Sequence, residues 1–228
     1  MKTSPGIGAA AGAIAGSLRG SLARSAVVAA LIGASLMASG CLPLAATGIV
    51  VGGLAATDRR TIGAQTEDTS IELKAANNLQ EQLGGSGGIS ITSFNRTVLM
   101  TGQVLDEQTR RRAGEIVGRI DNVRLPVHNE LAVSGRASLG TAASDVGLTT
   151  KVKASFIDAK DIQSNAVKVV SESGVVYLMG IVTRAEAERM AQVASRVGGV
   201  KRVVTVFEYV TPEELARIER VNREAQKQ

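Results

Sequence analysis

One cysteine, one histidine, four prolines, five aromatic rings and no tryptophan in 228 residues set the first limits on this chain. A lone cysteine, Cys41, has no internal disulfide partner, and with His128 as the sole imidazole no metal-ligand spacing occurs anywhere. Five rings, Phe94, Phe156, Phe207, Tyr177 and Tyr209, are too few for the stacking platforms on which single-stranded nucleic acid rests. Acid is absent from residues 1–40, where Lys2, Arg19 and Arg24 supply three of the formal +5 charges and leave +2 on the rest. That remainder makes no basic stripe, so nucleic acid is excluded as a partner. The length suits one moderate domain or two small ones.

Also missing near the N-terminus is an apolar run long enough to cross a bilayer, which takes about 20 residues. The uncharged stretch AVVAALIGASLMASG (26–40) has the length of a signal-peptide core and follows two arginines. Ala38, Ser39 and Gly40 then lead to Cys41. This arrangement resembles the lipobox of bacterial lipoproteins, with Ala38 where leucine is usual. The resemblance implies a signal over 1–40, diacylglycerol on the Cys41 thiol, and cleavage that makes Cys41 the N-terminus. No cofactor beyond that covalent lipid is expected. Leu42 stands where many inner-membrane lipoproteins carry a retaining Asp, which implies an outer-membrane location facing the periplasm. LPLAATGIVVGGLAAT (42–57), broken by Pro43 and small residues, reads as a membrane-proximal tether, giving an anchor-and-tether segment over 41–66.

Beyond Asp58 the chain repeats itself. NRTVLMTGQV (95–104) and SGVVYLMGIV (173–182) are each a turn followed by an alternating strand with a late Gly, 78 residues apart. ISITS (89–93) and VKVVS (167–171) precede them at the same offset, so each copy carries a hairpin, turning at Asn95-Arg96 and Ser173-Gly174. A capped helix follows in both. Thr183 and Glu186 form a capping box before Ala187, Met190, Ala191, Ala194 and Val197, and Asp106 caps the stripe Thr109, Ala113, Ile116, Val117 and Ile120. Each copy closes with a strand, 123–133 and 201–210, and Pro126 predicts an edge or a bulge in the first. Each also opens with a helix, on which Ile71, Ala75 and Leu79, or Leu148, Val152 and Phe156, stand four apart. The expected class is α+β. Each copy runs helix-strand-strand-helix-strand, a small mixed sheet covered by two helices, over 67–134 and 144–210 with a linker at 135–143. A copy of this size is marginal alone, which predicts mutual support between the two. Thr211, Pro212 and Glu214 start a C-terminal helical tail over 211–228.

The order of elements, with VVYLMGIVTRAEAERMAQVASRVGGVKRVV (175–204) echoed by TVLMTGQVLDEQTRRRAGEIVGRIDNV (97–123), resembles the BON domain. A lipobox followed by two such copies is similar to the dual-BON outer-membrane lipoproteins. The resemblance implies a non-enzymatic, lipid-anchored protein that meets anionic phospholipid membrane through a helix of the second copy. It also implies a role in envelope integrity, with envelope or division-site proteins as further partners.

Enzymatic signals are lacking. His128 lies in an alternating strand, where an outward polar residue is ordinary, and GGSGG (84–88) lacks the Lys and Ser/Thr of a phosphate loop. The helix opening the second copy says more. At about 100° per residue, Leu148, Val152 and Phe156 set a buried direction from which Ile157 lies about 140° away. Ile157 is therefore expected in solvent, with Lys153 and Lys160 beside it, an apolar tip and two ammonium groups suited to anionic lipid. The first copy has Ala76, Gln80 and Leu83 at the matching positions, so lipid contact is expected of the second copy alone. The alternative is an adaptor in which the same surfaces hold envelope assembly machinery.

Overall fold

The computed structural model describes residues 58–84, 88–134 and 139–225. The signal, Cys41 and the tether through Thr57 lie outside these residues, as do most of the Gly84–Gly88 loop and part of the linker.

Each repeat builds the expected order. The first comprises α1 (Ile62–Leu83), β1 (Ile89–Phe94), β2 (Thr97–Val104), α2 (Glu107–Gly118), β3 (Arg124–Asn129) and a two-residue β4 (Ala132–Val133). The second comprises α3 (Leu139–Asp158), β5 (Val167–Glu172), β6 (Val175–Val182), α4 (Arg184–Ser195) and β7 (Arg202–Tyr209), and α5 (Pro212–Ala225) ends the chain. In each repeat the middle strand pairs antiparallel with its hairpin partner and parallel with the strand after the helix. β3 is an edge strand whose register against β2 slips between Thr97 and Leu99, so Pro126 produces both an edge and a bulge. The N-caps form as read: Asp106 accepts from the Thr109 amide, Thr183 and Glu186 cap reciprocally, and so do Thr211 and Glu214.

Alternation along the middle strands divides two jobs between two faces. Val98 and Met100 on β2, and Val176 and Leu178 on β6, point under the helices of their own repeat, joining Ile71, Ala75 and Leu79 or Leu148, Val152 and Phe156. Leu99, Tyr177, Met179 and Ile181 point the other way and share a third cluster with Phe94 and Val206. The two sheets therefore meet through the faces their helices leave bare, and each repeat completes the other's burial. His128, in register with Leu99, is half-buried on that side of β3. Polar pairs edge the seam: Glu208 accepts from Arg124 at 2.6 Å and from Asn95 at 2.7 Å, and the Lys168 ammonium meets Glu72 at 3.1 Å.

One buried carboxylate in each repeat ties the first helix to the hairpin. Both hairpins turn with two successive left-handed residues, Asn95 (φ 49°) and Arg96 (φ 67°), then Ser173 (φ 53°) and Gly174 (φ 82°). The amides of such a turn point inward together. Asp68 on α1 accepts from those of Asn95 and Arg96, both at 2.7 Å, and Asp145 on α3 accepts from Ser173 at 2.8 Å and Gly174 at 3.1 Å. Asp68 and Asp145 stand 77 residues apart, at the helix offset, and this repeated pair was not recognised in the sequence. Arg96 carries a side chain at a site that suits glycine. Arg96→Gly is therefore expected to stabilise by about 0.5–1 kcal/mol, relief of left-handed strain minus backbone entropy, seen as a higher urea midpoint at unchanged slope. Glycine is required at Gly180, where an added Cβ would lie 2.7 Å from the Ala166 carbonyl oxygen.

Candidate functional site

Helix α3 is held along one side and left bare along the other. Asp145 fixes its first half to the β5–β6 turn, and Val152 and Phe156 are fully buried, so the helix cannot roll. On the opposite side Ile157 is 68% exposed, as the sequence spacing predicts, with Lys153 exposed one turn earlier. Val146 is 69% exposed and belongs to the same line, because eleven residues make just over three full turns and set the two side chains about 16 Å apart. Sequence reasoning missed Val146, although the eleven-residue spacing was readable. On this line the Thr150 hydroxyl bends back to the carbonyl of Val146, which lessens the polarity of the ridge.

The lysines fall less regularly than expected. Lys153 is on the helix, but α3 ends at Asp158 and Lys160 sits exposed in the following turn. Ile162 packs on the second core, and the chain leaves the helical path to bring it there. Neither Lys153 nor Lys160 has an ion-pair partner among the described residues. Of the nearby acids, Asp161 is taken by Arg189 at 2.6 Å, a hydrogen bond that holds its carboxyl below the usual range.

The first repeat is different in charge rather than in apolarity. Ala76 and Gln80 are exposed and Leu83 rests on the core, as the asymmetry argument requires. Yet α1 also bares Ile62 (72%) and Leu73 (62%), eleven residues apart, which sequence reasoning passed over. That helix carries Glu67 and Glu81 and one lysine, Lys74, so a single cation stands beside its apolar pair where Ile157 has two.

The lead-in segment is locked across both repeats by adjacent arginines. Arg59, its side chain 3% exposed, donates to the Ile181 carbonyl at 2.7 Å, to both oxygens of Glu186 at 2.6 and 3.1 Å, and to Gln163 at 2.9 Å, and it lies 3.5 Å from Glu219 on α5. Burial alone would raise the Glu186 carboxyl; the Arg59 guanidinium and the Thr183 amide outweigh burial and hold it below the usual range. Arg60 turns to the first repeat, where it meets Asp68 at 2.8 Å and stacks 4.2 Å from the Phe94 ring centre. Asn222 on α5 donates to the Arg59 carbonyl at 3.0 Å, so the C-terminal helix closes over the entry. The tether thus enters the fold at a fixed point. Asp58, where the described chain starts, lines the same 380 Å³ groove as Lys153 and Ile157.

Among the described residues no cluster of His, Cys, Asp and Glu is arranged to hold a metal ion, and no helix is long and apolar enough to cross a membrane.

Comparison with known proteins gives this architecture a family. The BON domain model matches twice, over residues 67–135 and 144–211. The chain is 36% identical over 180 residues to the outer membrane lipoprotein DolP of Haemophilus influenzae, covering 78% of this chain and 92% of that one. It is 30% identical over 155 residues to the 21 kDa hemolysin of Actinobacillus pleuropneumoniae, covering 67% of this chain and 79% of that one. Among solved structures, the C-terminal domain of CdsD from Chlamydia trachomatis aligns at 13% identity over 63% of this chain and 67% of that one, with a TM-score of 0.25, too loose to bear on the fold. Two BON domains in tandem and identity to DolP along most of both chains place this protein in the BON-domain family, as an outer-membrane lipoprotein of the DolP type.

Proposed function

We propose that the protein is a non-enzymatic membrane-recognition module, held on the periplasmic side of the outer membrane by lipid on Cys41, that contacts anionic phospholipid through α3 of its second BON domain and supports envelope integrity. The observation that carries this reading is the α3 ridge: two large exposed apolar side chains on one line of a helix that cannot roll, flanked by lysines without carboxylate partners. Such a helix lies flat on a bilayer, its apolar tips entering the headgroup boundary while the ammonium groups meet phosphates, each contributing about 1 kcal/mol.

The test uses residues 58–228, which hold all three hydrophobic clusters. Ile157→Glu is expected to weaken binding to phosphatidylglycerol vesicles about tenfold with the melting temperature hardly changed, and Val146→Glu to act in the same direction. Leu73→Glu, an equally exposed apolar site on the first repeat, is expected to leave binding intact. Loss of binding with Leu73→Glu but not with Ile157→Glu would transfer the lipid face to the first repeat. Failure of the unaltered protein to bind vesicles, with a protein partner captured instead, would favour the adaptor.

A further inference from the structure

The second sheet ends in an open edge whose sequence is its own complement. Among the described residues β7 pairs with β6 on one side and has no strand on the other. Its counterpart β3 is blunted by Pro126 and a bulge, and β7 has neither. The Val210 amide donates to the Val182 carbonyl at 3.0 Å, and the β6–β7 ladder runs from Val175–Arg202 to Val182–Tyr209 without a slip. Backbone groups alternate in direction along a strand, so Arg202, Val204, Val206 and Glu208 turn theirs to β6 while Val203, Thr205 and Phe207 turn their amides and carbonyls to the open side. A long, regular edge of this kind is a template for a further strand.

Which strand fits is written in β7 itself. An antiparallel copy of RVVTVFE (202–208), turned about a two-fold axis at Thr205, sets Thr205 opposite Thr205, Val203 opposite Phe207, Val204 opposite Val206 and Arg202 opposite Glu208. This register brings open-side residues together, so Thr205 with Thr205 and Val203 with Phe207 are the pairs that exchange backbone hydrogen bonds. A two-fold axis at Val204 or Val206 would instead oppose groups already turned to β6. The facing side chains are β-branched or aromatic, the pairs that stabilise sheets. The charges also match. Glu208 accepts from Asn95 and Arg124 on the same oxygen, Oε2, which leaves Oε1 open, and Arg202, its side chain 59% exposed, spends one nitrogen on Glu130 at 3.4 Å. At each end of the pairing an Arg202 guanidinium therefore meets the open oxygen of Glu208 from the other copy.

We infer that β7 is a self-association edge. Two copies of the chain join β7 to β7, antiparallel about Thr205, and fuse their second sheets into one continuous sheet. The interface is isologous, so it closes on a dimer and leaves no β7 edge for a third copy. Helix α3 packs over β5, at the other edge of the same sheet, so the pairing leaves Ile157 and Val146 clear and does not depend on what that ridge touches.

The test follows residues 58–228 by analytical ultracentrifugation and amide hydrogen exchange from about 10 µM to about 1 mM. The expected result is a reversible monomer–dimer equilibrium with a Kd of about 100 µM, and slower exchange of the Val203, Thr205 and Phe207 amides as concentration rises. Thr205→Pro removes an amide turned away from β6. It is expected to keep the melting temperature within a few degrees and to weaken association about tenfold or more. Val204→Pro removes an amide of the ladder and is expected to lower the melting temperature of the monomer. Arg202→Glu and Glu208→Arg each set like charges opposite one another and are expected to be monomeric alone; mixed, they restore both ion pairs and are expected to form the heterodimer. A protein monomeric to about 1 mM would overturn the inference, as would a dimer that Thr205→Pro leaves intact or charge variants that do not recover on mixing. Protection of the same amides only by an added extended peptide, with the chain itself monomeric, would give the edge to a foreign strand and overturn self-pairing.

Discussion

Asp68→Ala is expected to remove about 3–5 kcal/mol from the stability of residues 58–228, a large fraction of the roughly 5–15 kcal/mol that folded domains commonly have. The carboxylate is 3% exposed and meets four donors: the Ser93 hydroxyl, the Asn95 and Arg96 amides and the Arg60 guanidinium. Deleting it strands two turn amides, each costing about 1–3 kcal/mol, and leaves the half-buried Arg60 with Asp58 as its one remaining carboxylate. The turn is also the site of left-handed strain at Arg96, which those hydrogen bonds offset. Asp145→Ala provides the internal comparison, since Asp145 binds two amides, no arginine, and a turn with Gly at its second position; a loss of about 1–2 kcal/mol is expected. Urea unfolding of the two variants checks the ranking. Equal losses would show that the arginine adds nothing, and an Asp68→Ala loss under about 1 kcal/mol would show that water replaces the carboxylate.

Cys41→Ser is expected to abolish membrane anchoring outright. Each buried methylene contributes about 0.8 kcal/mol, so two long acyl chains hold a protein by roughly 20 kcal/mol, whereas a myristoyl chain alone binds only marginally. The α3 ridge, with two aliphatic tips and two or three lysines, falls in the marginal range and cannot replace the anchor. Cells producing Cys41→Ser should show no incorporation of labelled palmitate and a longer, slower-migrating precursor. Unchanged labelling and migration would rule out acylation at Cys41. Ile157→Glu with Cys41 intact provides the converse: it should stay in the outer-membrane fraction, because the proposed anchor is untouched.

The parts of this molecule legible in its sequence are those written in short-range patterns. The strands, the caps at Asp106, Thr183 and Thr211, and the stripes ending in Leu79 and Phe156 depend on spacings of two to four residues, and the offset between copies carried each reading to its counterpart. The exposure of Ile157 followed from the same geometry, because Phe156 beside it fixes the helix. Lys160 departed from it because spacing does not say where a helix stops, and α3 stops where Ile162 must turn toward the core. The arginine clamp and the Asp68 cradle were beyond reach for another reason. Most of their partners are 25 to 160 residues away, and a charged residue in a lead-in looks the same whether it faces solvent or is buried. The groove at the seam depends on how two sheets stack, which no periodicity encodes.

Arg59 also sets an order in time. Its partners, Ile181, Glu186 and Glu219, emerge from the ribosome and cross the inner membrane more than 120 residues after it, the last of them on the terminal helix. The surroundings of Arg59 are therefore completed only after the residues through Asn222 have emerged. A chain cut short before α5 would keep the bonds of Arg59 to Ile181, Glu186 and Gln163 but lose Glu219 and the cover of Asn222. Closure of Glu219 and Asn222 over Arg59 is thus the latest tie in chain order at the point where the lead-in enters the fold.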